Sequence, residues 1–486
     1  MILFLALILR FRDMLNRDFW YDEAFTGVTV KSNFWEMIRI TINDVHPPLY
    51  YIALKIFAYP FDYSVFGIRL FSVIFGILGV WAIYLFTKEV FNRKAALFSS
   101  FIAAVSPFAI QYSQEGRMYS MFSFFIVIAV YFLVKGLKTE KYSYYILWGI
   151  FAGFSFLTHY MGVIFSILYY FVYVIYKFNQ KEKTENKWKM AIGNILPDKR
   201  MFAGYFSALL IFSFWIKIFI SHLLYSGLNN MHWVKPVSFI DIFTNIQIFI
   251  IGSPLGDLSS GMPAPNGLNY ISSSSILIGV TLLFGFLIPS FIKKEKEEKY
   301  FVLVFSFGFM LMIYCLSLFG ENYFVSRYLI AASYFVFIFL GVWLSNVDWK
   351  AAVSSLAIYF FILVNIVNSH YPSGYGELAE NLDKYKNNNF YVLNSFDYVI
   401  AKYYVGENHL ILYNIDWPQY NPSSWAAIGQ TLKRTENYDD LKNDPNALIL
   451  ANIQKDREKR NDKNFDPAGL PLVAKYDNIT IYKPSN

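Results

Sequence analysis

Long runs of apolar residues, separated by short polar stretches, fill the chain as far as about residue 367. A helix that crosses a hydrocarbon core of roughly 30 Å needs about 20 mainly apolar residues. The pattern predicts ten such helices, near residues 65–87, 95–111, 118–135, 142–157, 160–176, 201–220, 274–292, 300–319, 328–345 and 351–367. An eleventh should precede them, but Met1 to Leu9 supplies only nine apolar residues before Arg10. We therefore expect about eleven spans, with a short first helix unless the true start of the chain lies upstream.

From Tyr371 the pattern changes to short apolar runs of β type that alternate with polar stretches. The runs are FYVLNSF (390–396), HLILYN (409–414), ALILANI (447–453) and LVAKYDNITIYKP (472–484). The last run turns at Asp477-Asn478 in the manner of a hairpin. We predict two domains, a membrane domain over 1–367 and a small α/β domain over 368–486. No group of residues in the second domain suggests a catalytic site.

Composition supports a membrane protein with many spans. Hydrophobic residues make up 56% of the chain and charged residues 16%, with a mean hydropathy of +0.36, which excludes an ordinary soluble globular protein. The net charge of +7 is better explained by membrane topology than by nucleic acid, so no nucleic-acid partner is expected. The single cysteine, Cys315, excludes an intrachain disulfide and a cysteine-based metal site.

The distribution of Lys and Arg predicts the orientation, because basic residues in short loops remain on the cytoplasmic side. With the N-terminus inside, the cytoplasmic connections hold 18 basic residues and the opposite connections hold 8. This orientation makes 177–200 a basic cytoplasmic loop. It places a first outer loop at 13–64, a second at 221–273 and the α/β domain on the extracytoplasmic side.

The same orientation brings several polar clusters to the outer face. These clusters are Asp22-Glu23, Asp44 with His46, Glu115 with Arg117, His159-Tyr160, His222, His232-Trp233 and Glu321 with Arg327. Each alone could be a solvated group on a loop. Charged groups close to a membrane are costly, however, and their arrival from separate loops at one surface suggests one site.

Two local patterns shape the first outer loop. Residues 33–43 have Phe34, Trp35 and Ile38 on one side of a helix and polar residues on the other, which predicts a helix lying flat on the membrane. Pro47 and Pro48 follow, and they fix two φ angles and remove two backbone donors. Asp44 and His46 should therefore sit on a stiff, non-helical approach to the next helix.

The order of the motifs resembles one known family of membrane enzymes. The motifs are DEAF (22–25), DVHPPLYY (44–51), FGIRLFSVIFG (66–76), SPFAIQYSQEGRMYS (106–120), THY (158–160) and VSRYLIAA (325–332). They resemble the GT-C membrane glycosyltransferases, and most closely the protein O-mannosyltransferase and lipid A aminoarabinose transferase branch, over roughly residues 10 to 345. The resemblance implies a mostly α-helical GT-C fold. It also implies transfer of a sugar from a polyprenyl-phosphate donor to an acceptor outside the membrane, with inversion at the anomeric carbon.

The resemblance also implies roles for the acidic residues. Asp22 would be the base that takes the proton of the acceptor hydroxyl, and Glu23 would support it or orient the acceptor. Asp44 is a rival base. Asp44 and His46 could also hold a divalent metal, but two ligands on an irregular loop do not define a metal site, so metal dependence stays open and no cofactor is certain.

The leaving phosphate needs cationic or hydrogen-bonding groups. Arg117 and Arg327 are the best candidates, because guanidinium groups match phosphate oxygens. Arg69 is weaker, since it lies about one turn inside a span and could snorkel to the headgroups as an anchor. The other candidates for substrate contact are His46, Tyr112, Glu115, Tyr119, His159 and Tyr160. His222 and His232 belong to a Gly- and Pro-rich loop that we interpret as a mobile cover.

The sequence thus predicts a glycosyltransferase of the plasma membrane, with membrane lipids, a polyprenyl-phosphate sugar and a glycan, glycolipid or protein acceptor as partners. Protein mannosylation is not favoured, because the basic residue that protein O-mannosyltransferases place after HPPL is absent here. A flippase or transporter of lipid-linked sugars is the alternative, but it should carry polar groups along several spans. The spans here hold little charge apart from Arg69 and Lys217. A non-catalytic scaffold would need no carboxylate pair.

Overall fold

The computed structural model describes residues 1–181, 196–226, 236–252, 298–350, 352–354, 356–357, 374–393, 395–413, 433–435, 438–452 and 469–484. The chain divides into two compact units. The first, which we call the helical unit, comprises Met1–Arg12, Val45–Tyr50 and Leu70–Ser369. The second, which we call the mixed unit, comprises Asp13–Asp44, Tyr51–Arg69 and His370–Asn486. The segment predicted as the first outer loop and the predicted α/β domain therefore fold largely as one body.

Most of the described chain is helical. The helices are Ile2–Phe11 (α1), Tyr21–Lys31 (α2), Phe34–Asn43 (α3), Leu49–Ala58 (α4), Val65–Val90 (α5), Arg93–Val105 (α6), Pro107–Ser113 (α7), Tyr119–Thr139 (α8), Tyr142–Thr158 (α9), Met161–Lys181 (α10), Lys199–Phe212 (α11), Ile216–Ser221 (α12), Ile240–Ile251 (α13), Lys299–Leu303 (α14), Phe309–Leu318 (α15), Ile330–Ser345 (α16), Tyr375–Glu380 (α17), Ser395–Val405 (α18) and Tyr438–Asn443 (α19). Two π-helical segments, His222–Ser226 and Val304–Gly308, continue α12 and α14.

The number of membrane crossings is smaller in the described residues than the sequence predicts. Five helices there are long and apolar enough to cross a membrane, and a sixth crossing results if α6 and α7 count as one span. The predicted spans at 142–157 and 328–345 are present as the shorter helices α9 and α16. The span at 274–292 and most of 351–367 lie outside the described residues. The total of about eleven therefore stays a prediction.

Small residues allow close helix packing within the helical unit. A Cβ atom on Gly149 of α9 would lie 2.0 Å from the carbonyl oxygen of Gly204 on α11, so both backbones need glycine there. A Cβ on Gly341 of α16 would lie 2.2 Å from the Ser99 hydroxyl on α6. Such small-residue contacts are typical of membrane helices, where packing drives association.

The segment predicted as one span at 95–111 is broken at Ser106. Pro107 is the first residue of α7, the Ser106 hydroxyl accepts the Ala109 N–H, and α6 and α7 meet at an angle of 61°. Arg10, at the end of α1, is fully buried and donates to the carbonyls of Ala103 and Ala104 at the end of α6. It satisfies acceptors that α6 cannot satisfy itself. The expected short first helix is thus present and ends where Arg10 reaches this break.

Gln114, just after α7, joins the same region to α1. Its side-chain amide donates to the carbonyl of Arg12 at 2.6 Å and to that of Arg10 at 3.1 Å. Side-chain bonds to helix-terminal carbonyls fix the turn that follows α7. That turn carries Glu115 and Arg117.

The mixed unit contains a six-stranded sheet, which confirms the predicted β-strands of the C-terminal segment. Its strands are Asn389–Val392 (β1), Leu410–Tyr413 (β2), Arg434–Thr435 (β3), Ala447–Asn452 (β4), Leu472–Tyr476 (β5) and Ile479–Tyr482 (β6), in the order β3-β2-β1-β4-β6-β5. Strands β1 to β4 pair in parallel, and β6 pairs antiparallel with β4 and β5. Asp477, at a φ of 45°, makes the predicted turn between β5 and β6.

Helix α3 covers the stretch that the sequence predicts as an interfacial helix. Its first turn is capped by the Asn33 side chain, which accepts the Glu36 N–H at 2.9 Å. Trp35 is 77% exposed, whereas Met37 and Ile40 are buried. An exposed tryptophan on an amphipathic helix is typical of an interfacial segment.

Candidate functional site

The acidic pair lies at the start of a helix. Trp20 is extended, and α2 begins at the next residue, so Asp22 and Glu23 both fall in its first turn. Negative side chains are favourable there because the amide groups at a helix N-terminus carry partial positive charge. Asp22 is half-buried and Glu23 is fully buried.

Glu23 forms a buried, two-pronged ion pair with Arg69. The Arg69 Nε and Nη2 atoms each donate to one carboxylate oxygen of Glu23 at 2.7 Å. The remaining N–H groups donate to the carbonyls of Met14, Arg17 and Asp18 at 2.7 to 3.1 Å. A guanidinium has five N–H donors, and all five are used. The alternative of a headgroup anchor for Arg69 is wrong, because its side chain is fully buried inside the protein.

The two neighbouring carboxylates therefore sit in different surroundings. Glu23 is held and neutralised by Arg69, whereas Asp22 keeps part of its surface open to solvent. A general base must be reachable by the group whose proton it takes. Asp44, the rival base, is the extended residue that ends α3 and is 8% exposed.

In the helical unit, Arg117 meets His46. Arg117 is buried in the turn between α7 and α8, and its Nη2 lies 3.4 Å from His46 Nε2. A guanidinium can only donate, so His46 Nε2 is the acceptor and the proton of a neutral His46 ring lies on Nδ1. The backbone of Arg117 is held as well, since the Ser72 hydroxyl donates to the Arg117 carbonyl at 3.2 Å.

His159 is a second histidine whose tautomer the structure defines. It follows α9 and is 6% exposed, and its Nδ1 accepts the Met161 N–H at 3.2 Å. The ring proton of neutral His159 therefore lies on Nε2, which has no hydrogen-bond partner among the residues that the structure describes. Burial, followed by the charges of nearby basic side chains including Arg117 and Arg327, lowers the pKa of His159 well below its usual value. His159 is a neutral N–H donor.

Aromatic rings surround His159. Its ring centroid lies 6.1 Å from that of His46, 6.1 Å from that of Tyr119 and 5.4 Å from that of Tyr328. Tyr112 packs on Tyr119 at 5.1 Å. The guanidinium of the neighbouring Arg327 lies 5.5 Å from the Tyr328 ring centroid. We call His46, Arg117, His159 and Arg327 the basic cluster. Glu115 is fully buried, and its carbonyl accepts the Arg117 N–H at 2.7 Å.

Tyr160 belongs to a separate hydrogen-bonded group. The Trp215 Nε1–H donates to its hydroxyl oxygen at 3.0 Å, and the same hydroxyl lies 2.7 Å from His222 Nδ1. His222 is buried at the start of a π-helical segment, and π-helical turns are common at functional sites. His232 lies outside the described residues.

The described part of the chain offers no third ligand for a metal ion beside Asp44 and His46. Among the residues that the structure describes, no three His, Cys, Asp or Glu side chains gather as a metal site would require. The basic cluster instead offers N–H donors, which suit an anion.

Some structurally important residues were missed or misjudged from sequence. Arg10 and Arg69 are fully buried and organise the α6 end and the Glu23 carboxylate, respectively. Their sequence signal was a charge within an apolar run, which in a membrane protein indicates a function or a specific partner. Trp215 gave no such signal, because a tryptophan in an apolar helix usually packs.

Comparison with known proteins finds one family model and several solved structures that are similar to this chain. The family model for dolichyl-phosphate-mannose-protein mannosyltransferase matches residues 45–196. The fold is similar to that of ArnT from Cupriavidus metallidurans, in its apo state and bound to undecaprenyl phosphate, with TM-scores of 0.66 and 0.65 at 11% identity. The match covers 99% of this chain and 96 to 97% of ArnT.

A second relative in fold is the archaeal oligosaccharyltransferase AglB from Archaeoglobus fulgidus, in complex with an inhibitory peptide and a dolichol-phosphate. Its TM-score is 0.50 at 12% identity, over 94% of this chain and 69% of AglB. No curated protein sequence matches the chain.

The described chain is largely helical, has apolar helices long enough to cross a membrane and a small sheet, and has a fold similar to that of ArnT. The family match and the shared fold together support a GT-C superfamily member of the ArnT/PMT type, as the motif order indicated.

Proposed function

We propose that this protein transfers a sugar from a polyprenyl-phosphate donor to a hydroxyl group of a cell-surface glycan, lipid or protein. The transfer takes place on the extracytoplasmic face of the plasma membrane and inverts the anomeric carbon. The basic cluster carries the proposal, because it gathers buried N–H donors in a chain that folds like ArnT, a protein known bound to undecaprenyl phosphate.

Asp22 acts as the base in this proposal. Its carboxylate takes the proton of the acceptor hydroxyl, the acceptor oxygen forms a bond to C1 of the sugar, and the bond between C1 and the phosphate oxygen breaks. Polyprenyl phosphate leaves with the electron pair of that bond. The Glu23–Arg69 ion pair supports this assignment, because it commits the neighbouring carboxylate to a structural role and leaves Asp22 as the half-exposed one.

The basic cluster stabilises the negative charge that develops on the leaving phosphate. Arg117 and Arg327 supply charged N–H groups, and guanidinium groups suit phosphate because two parallel N–H bonds match two oxygens. His159 adds a neutral donor, since its Nε2 carries the proton and has no partner in the described part of the chain. Donors fixed before the reaction cost no reorganisation when the charge appears.

The test is release of polyprenyl phosphate by purified protein in nanodiscs, from a panel of radiolabelled polyprenyl-phosphate sugars with membrane extract as the source of acceptor. We expect Asp22→Asn to remove most of the release. Asp62→Asn is the matched control, because Asp62 is an exposed carboxylate of the same loop whose left-handed φ of 50° suits asparagine.

Two outcomes would contradict the proposal. Retained release in Asp22→Asn, with loss in Asp44→Asn, would move the base to Asp44. Movement of the same lipids across a bilayer without any release of polyprenyl phosphate would support a flippase instead.

A further inference from the structure

The C-terminal segment lies beyond the sequence motifs that resemble the GT-C glycosyltransferases, yet it packs on the helix that carries the acidic pair. Within the mixed unit, α18 of the C-terminal segment lies against α2 of the first outer loop. Two consecutive residues of α18, Tyr403 and Tyr404, make side-chain contacts with this part of the chain. Both reach Phe19, which precedes Asp22 by three residues.

Tyr404 satisfies a backbone group just ahead of the acidic pair. The Phe19 N–H donates to the Tyr404 hydroxyl at 2.8 Å. Phe19 is 1% exposed and precedes α2, so no carbonyl of that helix can accept its N–H. Tyr404 is oriented in turn by Tyr375 of α17, whose ring stacks on it at 6.2 Å with an interplanar angle of 16°.

Tyr403 lies against the body of α2. A Cβ atom on Gly27 would be 2.5 Å from the Tyr403 ring, so this close approach requires glycine on α2. The Lys31 ammonium lies 4.0 Å from the ring centroid on the same side, a distance suited to a cation–π contact. The Tyr403 hydroxyl donates to the carbonyl of Tyr63 at 3.0 Å. The Tyr403 ring is therefore held on its face by Lys31 and at its hydroxyl by Tyr63.

Phe19 joins these tyrosines to the Glu23–Arg69 pair. Its ring lies 4.7 Å from the Tyr403 ring, and the Arg69 guanidinium lies 5.1 Å from its centroid. Arg69 also donates to the carbonyls of Arg17 and Asp18, immediately before Phe19. A displacement of Phe19 would thus be transmitted to the residue that holds Glu23, which is next to Asp22.

We propose that Tyr403 and Tyr404 are positioning residues for the transfer reaction, and that the C-terminal segment completes the catalytic apparatus by fixing the first turn of α2. This inference rests on the proposed role of Asp22 as base. The tyrosines touch neither substrate nor reacting atoms in this account. They act by holding the backbone from which Asp22 projects.

The test compares Tyr404→Phe with Tyr385→Phe. Tyr404→Phe keeps the ring that stacks on Tyr375 but removes the acceptor of the Phe19 N–H. Tyr385→Phe is the matched control, because it removes another tyrosine hydroxyl of the same unit, one that lies 3.0 Å from the hydroxyl of Tyr476. We expect Tyr404→Phe to lower kcat by roughly two- to tenfold, the effect of one lost hydrogen bond, while KM for the donor changes less than twofold.

A second variant approaches the same contact from α2. Gly27→Ala forces the Tyr403 ring away, and we expect it to lower kcat without a comparable rise in donor KM. Thermal stability is measured for all three variants. A decline in kcat that tracks the loss of stability equally in Tyr404→Phe and Tyr385→Phe would make Tyr404 merely structural and overturn the proposal.

The failure of this inference can be told apart from failure of the proposed function. If Asp22→Asn abolishes transfer while Tyr404→Phe and Gly27→Ala turn over like the wild type, only the role of the C-terminal segment is refuted. If transfer survives Asp22→Asn, the assignment of the base is overturned and this inference with it.

Discussion

The Glu23–Arg69 ion pair should dominate the stability of the first outer loop. Arg69→Met removes five hydrogen bonds, two of them to a carboxylate, and leaves that carboxylate fully buried without its cation. Removal of one partner of a buried ion pair costs about 3–5 kcal/mol. Glu23→Gln should cost less, because Arg69 keeps its three carbonyl acceptors. The double variant should lose less than the sum of the single losses by about 0.5–3 kcal/mol, since the two residues share one interaction.

The measurement is the free energy of unfolding in mixed micelles, with SDS as the denaturant. Arg39→Met is the matched control. Arg39 also pairs with a glutamate through two bonds, at 2.6 and 2.9 Å to Glu36, but both side chains are about one-third exposed. An exposed pair of this kind contributes roughly 0.2–1 kcal/mol. If Arg69→Met lost no more stability than Arg39→Met, the buried pair would not organise this loop.

Two further predictions concern the basic cluster. Burial lowers the pKa of His159, so below the usual pKa of 6.5 the unfolded chain binds a proton that the folded chain does not. The free energy of unfolding should therefore be unaffected by His159 above pH 6.5. Below that pH it should fall by at most about 1.4 kcal/mol per pH unit. Between pH 5 and 7.5, the free energy of unfolding should change less steeply with pH in His159→Gln than in the wild type. His159→Gln should also keep more turnover than His159→Leu, because glutamine retains an N–H donor. Equal pH slopes for His159→Gln and the wild type, or equal turnover in the two variants, would contradict this reasoning. Arg117→Lys keeps the charge but not the two-pronged geometry, and we expect KM for the donor to rise roughly tenfold from the loss of one charged hydrogen bond. An unchanged donor KM would remove Arg117 from phosphate binding.

Helices were predicted well where a long, uninterrupted run of apolar residues marks them. The spans at 65–87 and 118–135 correspond to Val65–Val90 and Tyr119–Thr139. An uninterrupted apolar run in a membrane must form a helix, because its backbone groups have no water to bond and must bond to one another. The span at 95–111 was predicted as continuous, although Pro107 marked the break that the structure has. Hydropathy averages across such a break.

The site was less predictable, because its parts depend on partners distant in the sequence. His46, Arg117 and His159 could be named as candidates, but the tautomers of the two histidines follow from contacts that no periodicity encodes. Arg69 and Glu23 are 46 residues apart, and their pairing requires the folded loop. Tyr403 and Tyr404 lie in a segment without any catalytic motif, so their contact with Phe19 had no signal in the sequence.

The interleaved make-up of the mixed unit imposes an order on biosynthesis. Its first two segments end at Arg69, and its last begins at His370, about 300 residues later. Ribosomes add roughly 5–20 residues per second, so Glu23 and Arg69 wait on the order of 15 to 60 s for the strands and helices that complete their surroundings. During that interval the nascent chain can pair Glu23 with Arg69, but Tyr403 and Tyr404 have not yet been synthesised and cannot pack against α2. The first turn of α2 therefore reaches its folded surroundings only after nearly all of the chain has been translated.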